Sequence, residues 1–222
     1  MKVLIIAAMD KEINLLINLL QTPKEITLSG VTIWTGEIAS HNVNISKCGI
    51  GKVNSSLNTL KLINIIKPDL IINTGVAGGA AAPIGSVLVA DKVAYHDVWC
   101  GPGTIYGQAD GIPLFMIPSS EVLEITKKER LNTGLICSGD KFISSEEEID
   151  FIKAKFPEVK AVDMESASIA QTCLMCEIPF AIIRVVSDTP GQGENLSQYR
   201  DFWDTAPQKN FSVLTQILKE LK

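Results

Sequence analysis

The chain has 222 residues, of which 46% are hydrophobic and 20% are charged, with a formal net charge of −5 at pH 7. This composition is typical of a folded protein with a sizeable core and excludes an intrinsically disordered chain. The negative balance argues against a nucleic-acid partner; with no stretch of membrane-spanning length and no like-charge run, we expect a cytoplasmic protein without membrane contacts.

Short apolar runs rich in Val and Ile predict buried strands. Their apolarity is continuous rather than alternating, which indicates strands covered on both faces, as in α/β sheets. These runs cover residues 3–9, 70–76, 87–93, 134–139 and 180–187. By contrast, residues 25–49 alternate in polarity and are interrupted by Gly and Asn, which predicts antiparallel hairpins.

Helical periodicity occupies the segments between these strands. The predicted helices are 11–21, 53–66, 119–129, 145–156, 165–176 and 207–221. No repeat, linker or low-complexity tract interrupts the pattern. We therefore predict one α/β domain over residues 1–222, with a mixed sheet flanked by helices.

The five cysteines do not predict disulfides, because their number is odd and their positions are scattered. Cys173 and Cys176 form a CxxC within an apolar helical pattern. A redox or metal site is the less favoured alternative there, since His41 and His96 are the only histidines and no second CxxC exists.

Acidic residues recur where the predicted strands end. In α/β folds, ligands bind beyond the carboxyl ends of the strands, and Glu12, Asp163, Glu165 and Asp188 all fall at such positions. Each also has a structural interpretation, such as a first-turn helix acid for Glu12 or a turn cap for Asp188. Arg184 lies inside an apolar strand, where an unpaired guanidinium is costly, so an ion pair with a nearby acid is expected unless it serves the site.

Two glycine-rich segments partly resemble phosphate loops. NTGVAGG (73–79) would let a ligand approach the backbone closely, but it lacks GxGxxG, and a tight strand-to-helix turn is the alternative. GIGKVNSS (49–56) lacks the upstream glycine of a P-loop and the Ser or Thr after the lysine. Nucleoside triphosphate binding and dinucleotide-dependent redox chemistry are therefore disfavoured.

The segment KAVDMESAS (160–168) places two acids beside a methionine. Positions i and i+2 of an extended chain share a face. Asp163 and Glu165 are therefore predicted to point the same way at a strand end.

Eight sequence blocks occur in order from residue 7 to residue 188: AAMDKE, CGIGKVNSS, KPDLIINTGVAGG, VADKVAYHD, IYGQ, GLICSGDKFI, AVDMESASIAQTC and PFAIIRVVSD. Together they resemble the 5′-methylthioadenosine/S-adenosylhomocysteine nucleosidases of the purine nucleoside phosphorylase superfamily. The resemblance implies a single three-layer α/β/α domain with a twisted mixed sheet. It also implies a homodimer in which a partner segment helps to close the 5′ end of the pocket.

The implied reaction is hydrolysis of the N-glycosidic bond of 5′-methylthioadenosine, S-adenosylhomocysteine and 5′-deoxyadenosine, without cofactor or metal. Cleavage builds positive charge on the sugar and negative charge on the purine, and two carboxyl groups in different environments can serve both. By resemblance, Asp188 protonates the purine, Glu12 holds the nucleophilic water, Arg184 helps to position that water, and Glu165 binds the ribose hydroxyls.

The resemblance also implies the substrate contacts. Adenine would be bound by the backbone of Phe142 and Ile143, with the Phe142 ring stacked on the base, and Met164 would contact the sugar. Tyr199 or Phe202 would cap the 5′ thioalkyl group. The remaining implied contacts are Ala8, Met9, Ile50, Val76, Gly78, Asp163 and Ser187.

Three departures from the family pattern leave the substrate range open. Val76 replaces a usual Ser, Asp163 replaces a usual Glu, and segment 97–106 is unusual. A futalosine or other purine nucleoside hydrolase and a non-catalytic nucleoside-binding protein are therefore alternatives. A phosphate-dependent phosphorylase is a further one, although no arginine precedes Arg130 to clamp a phosphate and the early loops are acidic.

Overall fold

The computed structural model describes residues 1–192, 194–205 and 209–222. The strands are β1 (Lys2–Ala7), β2 (Gln21–Leu28), β3 (Val31–Ile38), β4 (His41–Lys47), β5 (Leu70–Gly79), β6 (Val87–Tyr95), β7 (Thr133–Ser138), β8 (Val159–Asp163) and β9 (Phe180–Asp188). The helices are α1 (Asp10–Ile17), α2 (Lys52–Ile66), α3 (Ser120–Lys128), α4 (Glu146–Lys155), α5 (Ser166–Met175), α6 (Asn195–Thr205) and α7 (Lys209–Glu220). None of the helices in these ranges is long and apolar enough to cross a membrane.

The strands form one mixed sheet that closes on itself at one end. Strands β4, β1, β5 and β9 run parallel in its centre, and β2 and β3 extend it antiparallel beyond β4. Beyond β9 the order continues through β6 and β7 to β8. β8 then pairs antiparallel with the last two residues of β5, Gly78 and Gly79. The predicted mixed sheet is confirmed, and β5 is its junction because it pairs with three strands.

Helices cover the sheet on both faces, which confirms the three-layer architecture. In β1, Leu4 and Ile6 belong to a buried cluster with residues of α2 and α5. Val3, Ile5 and Ala7 point to the opposite side and pack in a second cluster with α1, α3 and α7. Successive side chains of the strand point to opposite faces, and both faces are buried, as the continuous apolarity of the strand indicated.

The element boundaries depart from the sequence prediction in four places. Helix 11–21 is wrong beyond Ile17: Leu20 packs into the core from a turn, so its apolarity does not mean helix. NTGVAGG is neither a phosphate loop nor a strand-to-helix turn, because it lies wholly within β5. Helix α6 was absent from the predicted elements, and β8 had no predicted range, although a strand end was expected at Asp163. Residues 207 and 208 of the predicted helix 207–221 lie outside the described residues, and α7 accounts for 209–220.

Candidate active site

A cavity of about 250 Å³ opens where β1, β5, β8 and β9 end. This volume is just below the usual range for small-molecule sites, ~300–1,000 Å³. The predicted site residues that line it are Ala8, Met9, Glu12, Ile50, Val76, Gly78, Phe142, Ile143, Asp163, Met164, Glu165, Ser187, Asp188 and Tyr199. Segments that are far apart in sequence thus meet at one edge of the sheet, as strand-end ligand sites require.

Glu12 is held between the start of α1 and the middle of β5. The Met9 N–H donates to Glu12 Oε2 at 2.9 Å, and the Val76 N–H donates to Oε1 at 3.2 Å. Burial raises the pKa of this carboxyl, against the opposing effects of the Arg184 charge and the backbone donors. A carboxylate offers about four acceptor positions, so the backbone donors leave room for a water or substrate hydroxyl.

Asp188 ends β9 and is 2% exposed. The Ser187 hydroxyl donates to its Oδ1 at 2.6 Å, and the Asn195 amide donates to its Oδ2 at 3.4 Å. Burial raises the pKa of Asp188, and these two donors oppose the shift. A raised pKa favours a protonated carboxyl, which is the form that can donate a proton.

Glu165 occupies the N-cap position of α5, and its side chain faces the start of α2. The Gly51 N–H donates to its Oε1 at 2.9 Å. Burial raises the pKa of Glu165 to about 7, and the neighbouring Asp163 charge adds to the effect. Asp163 ends β8, so the extended segment stops two residues before Glu165. Both acids line the cavity, but the predicted shared face of one extended segment is wrong, because Glu165 is already the N-cap of α5.

Asp163 forms a buried ion pair with Arg184. The Arg184 Nε donates to Asp163 Oδ2 at 2.7 Å, and both side chains are 2% exposed. The guanidinium also donates to the Asn73 side chain, which in turn donates to the Ile6 carbonyl at 3.0 Å. Ser166 hydrogen-bonds to the same carboxylate. Asp163 therefore has a direct structural role in holding Arg184.

Arg184 and Phe202 are the predicted site residues that do not line the cavity. The Arg184 guanidinium points to Asp163 and Asn73, and it influences Glu12 through its charge. Phe202 is 5% exposed and packed inside the protein, one helical turn beyond Tyr199 on α6. Of the two alternatives for capping the 5′ group, Tyr199 is the one at the cavity.

Tyr199 joins two walls of the cavity. Its ring meets the Phe142 ring edge to face, with centroids 5.7 Å apart, and its hydroxyl lies 3.3 Å from Met9 Sδ. Helix α6 thereby closes the cavity between Phe142 and the loop after β1.

Some lining residues were not predicted, although three of them lie inside the quoted sequence blocks. They are Ala77, Lys141, Val162, Pro190 and Leu196. Lys141 is the one cationic side chain among the lining residues that the structure describes, and it forms an ion pair with Glu148. Within the described ranges, no group of three or more His, Cys, Asp or Glu side chains could hold a metal ion.

The sequence matches the family model of the phosphorylase superfamily over residues 2–219. A nucleosidase for 5′-methylthioadenosine and S-adenosylhomocysteine from Staphylococcus aureus (strain MRSA252) is 38% identical over 98% of this chain and 99% of its own. The nucleosidase of the same name from S. pneumoniae, solved with the transition-state inhibitor MT-ImmA, superimposes with a TM-score of 0.93 at 36% identity and covers all of both chains.

A futalosine hydrolase mutant from Helicobacter pylori strain 26695 is a more distant structural neighbour. It has a TM-score of 0.89 and 27% identity, over 99% of each chain. Its fold is thus shared, while its sequence is less similar than those of the nucleosidases. Because the family model and these relatives span nearly the whole length, this chain belongs to the 5′-methylthioadenosine/S-adenosylhomocysteine nucleosidase family of the phosphorylase superfamily.

Proposed function

We propose that this protein hydrolyses the N-glycosidic bond of adenine thionucleosides and releases adenine and the 5-thioribose. Its substrates would be 5′-methylthioadenosine and S-adenosylhomocysteine, with 5′-deoxyadenosine as a further one. The observation that carries the proposal is the placement of three buried carboxyl groups, Glu12, Glu165 and Asp188, around one largely apolar cavity.

The different environments of these carboxyl groups support a division of roles. Asp188, with its raised pKa, would protonate the purine as the bond breaks. Glu12, whose oxygens are fixed by two backbone N–H groups, would orient and deprotonate the attacking water. Glu165 would accept hydrogen bonds from the ribose hydroxyls. Arg184 would act as a positioning residue through Asp163 and through its charge near Glu12.

The cavity walls suit a thionucleoside. The Phe142 ring and the Ile143 backbone would bind adenine, and Ala8, Met9, Ile50 and Tyr199 offer apolar surface for the sugar and the 5′ group. Val76 contributes its N–H to Glu12 regardless of its side chain, so the missing serine hydroxyl does not disturb that contact.

The charges around the cavity favour water over phosphate as the attacking group. A phosphorylase must bind an anion beside the sugar, usually with arginines. Here, among the described lining residues, Lys141 is the one cation, and Glu148 already neutralises it. Glu12, the residue proposed to hold the water, is itself an acid.

A substrate panel tests the proposal. Adenine release from 5′-methylthioadenosine, S-adenosylhomocysteine, 5′-deoxyadenosine, inosine and futalosine would be measured with and without inorganic phosphate. We expect cleavage of the adenine thionucleosides at a rate independent of phosphate. Strict dependence on phosphate would overturn hydrolysis, and preferential cleavage of futalosine would reassign the substrate.

We also propose a homodimer, because an apolar surface lies exposed on adjacent helices. Val53 and Leu57 on α2 are 67% and 63% exposed, and Met175 at the end of α5 is 69% exposed. Trp99, in the unusual segment after β6, is 58% exposed. Covering such a surface with a second copy would bury it. A cytoplasmic location remains a prediction from the sequence.

A further inference from the structure

Among the described residues, one backbone N–H donates to the proposed ribose ligand, and it comes from the very start of α2. The Gly51 N–H reaches Glu165 Oε1 at 2.9 Å. Gly51 is the N-cap of α2 and has φ 86°, a conformation that favours glycine. The direction of this N–H therefore depends on how the first turn of α2 is held.

Three residues from separate segments form a closed ring that holds this turn. Asp140 follows β7, and its Oδ1 accepts the Lys52 N–H at 2.7 Å. The Asp140 N–H donates to Asp97 Oδ2 at 2.8 Å, and the Lys52 ammonium reaches the same oxygen at 2.7 Å. A carboxylate at a helix N-terminus is also favoured by the helix dipole. The ring thus ties the start of α2 to the loops after β6 and β7.

A second, buried connection joins the same two helix starts. The Ser55 and Ser168 hydroxyl oxygens are 2.7 Å apart. Ser55 Oγ lies 2.8 Å from the Gly51 carbonyl, and Ser168 Oγ lies 2.8 Å from the Glu165 carbonyl. Gly51 and Glu165 are therefore linked both directly and through the paired serines, so a displacement of α2 is transmitted to Glu165.

We propose that Asp140 is a positioning residue of the ribose subsite, which fixes the Gly51 N–H on Glu165 without contacting the substrate. This inference rests on the proposed role of Glu165 in binding ribose hydroxyls. Asp140 is on the exposed side of the ring, and a Cβ at Gly51 would lie only 3.0 Å from its Oδ1. Its carboxylate therefore packs directly against the peptide that it orients.

The test compares 5′-methylthioadenosine with its 3′-deoxy analogue, which lacks one hydroxyl for Glu165. kcat and KM would be measured for the wild type, Asp140→Ala, Asp140→Asn and Glu165→Gln. A hydrogen bond is typically worth about 1 kcal/mol, or about fivefold. We therefore expect Asp140→Ala to raise KM for 5′-methylthioadenosine about fivefold, with little change for the analogue. Asp140→Asn retains the Oδ1 acceptor and should restore most of the preference for 5′-methylthioadenosine over the analogue.

Asp150→Ala is the matched control, because it removes a surface carboxylate whose described contact is a 4.0 Å ion pair with Lys153 on the same helix. This variant should leave kcat and KM unchanged for both substrates. If Asp140→Ala does not fold, Asp97→Ala breaks the ring at its other acceptor. It is also expected to raise KM for 5′-methylthioadenosine more than for the analogue.

The outcomes separate this inference from the proposed function. Suppose that Glu165→Gln loses the preference for 5′-methylthioadenosine over its 3′-deoxy analogue. Equal effects of Asp140→Ala on both substrates, or no effect on either, would then overturn the positioning role of Asp140 alone. If Glu165→Gln keeps that preference, the proposed ribose contact of Glu165 is wrong, and the inference is overturned with it.

Discussion

At the scale of single residues, Glu12 and Asp188 are two carboxyl groups with different surroundings. Backbone N–H groups hold both oxygens of Glu12, whereas the side chains of Ser187 and Asn195 contact Asp188. Burial raises the pKa of both. A fixed acceptor on one side and a protonatable acid on the other is the arrangement that acid–base cleavage requires.

Substitution of either carboxyl should abolish turnover. Asp188→Asn keeps the shape and the Ser187 contact but cannot donate a proton, and Glu12→Gln cannot deprotonate water. Loss of general acid or base catalysis typically costs ~10²–10⁴-fold. We expect kcat for adenine release to fall by at least this factor, while calorimetry shows that Asp188→Asn still binds the nucleoside.

Asp10→Asn is the control for these variants. Asp10 precedes Glu12 by two residues on α1, but it is exposed and pairs with Lys47 at 2.8 Å. Its variant should retain the wild-type rate. A near-wild-type kcat for either Asp188→Asn or Glu12→Gln would show that the proposed roles are wrong.

The sequence located the acids but not their partners. Strand-end positions and the family resemblance identified Glu12, Glu165 and Asp188, and the cost of burying Arg184 indicated an ion pair. The sequence did not predict which acid would pair with the Arg184 guanidinium, because Asp163 and Arg184 are on different strands. Asn73 was missed for the same reason: its contact with Arg184 depends on the register that places β5 beside β9.

At the scale of elements, β5 shapes the cavity by omitting side chains. A Cβ at Gly75 would lie 2.6 Å from Glu12 Oε1, and one at Gly78 would lie 2.7 Å from Pro190. Gly79 would meet the Ala82 carbonyl oxygen at 2.2 Å. The glycines of NTGVAGG thus allow close approach, as predicted, but the approaching groups are protein atoms and the segment remains a strand.

Gly75→Ala should therefore impair catalysis through Glu12. The new methyl group would displace the Glu12 carboxylate from the Val76 N–H, since 2.6 Å is shorter than Cβ contacts in real structures. We expect kcat to fall at least tenfold, which is a smaller loss than that expected for Glu12→Gln. Steady-state assays and thermal unfolding of the same variant give the two readouts. A large loss of melting temperature with unchanged kcat would contradict the argument.

The elements that sequence reasoning missed have weak local signals. β8 has only five residues, which are too few to give a clear pattern. α6 follows a Pro- and Gly-rich segment and carries polar residues that mask its periodicity. Both are stabilised by tertiary contacts: β8 pairs with β7 and β5, and Gln198 of α6 accepts the Thr189 N–H. Local patterns do not encode such contacts.

At the scale of the whole molecule, the buried acids oppose folding at neutral pH. Burial raises the pKa of Glu165 from 4.5 to about 7. Between these two values the folded chain retains a proton that the unfolded chain has lost. The free energy of unfolding therefore decreases as pH rises through this window, and the loss is complete above it.

Glu165→Gln should consequently stabilise the protein at high pH. The amide carries no charge and its oxygen can still accept the Gly51 N–H. A shift of this size corresponds to up to about 3 kcal/mol. We expect the variant and the wild type to unfold at similar denaturant concentrations at about pH 4, with the variant more stable at about pH 8. An equal difference at both pH values would contradict the assigned cause.

The closure of the sheet between β8 and β5 has a consequence for self-association. Within the described residues, every strand except β2 has partners on both sides, so β2 is the one open edge. That edge carries Pro23, which lacks an N–H, next to the charged Lys24 and Glu25, and its pairing with β3 is irregular between Gln21 and Lys24. Proline, charge and irregular register all oppose the addition of a foreign strand. Concentrated protein should therefore resist fibrillar growth, and copies that meet should do so through their helices.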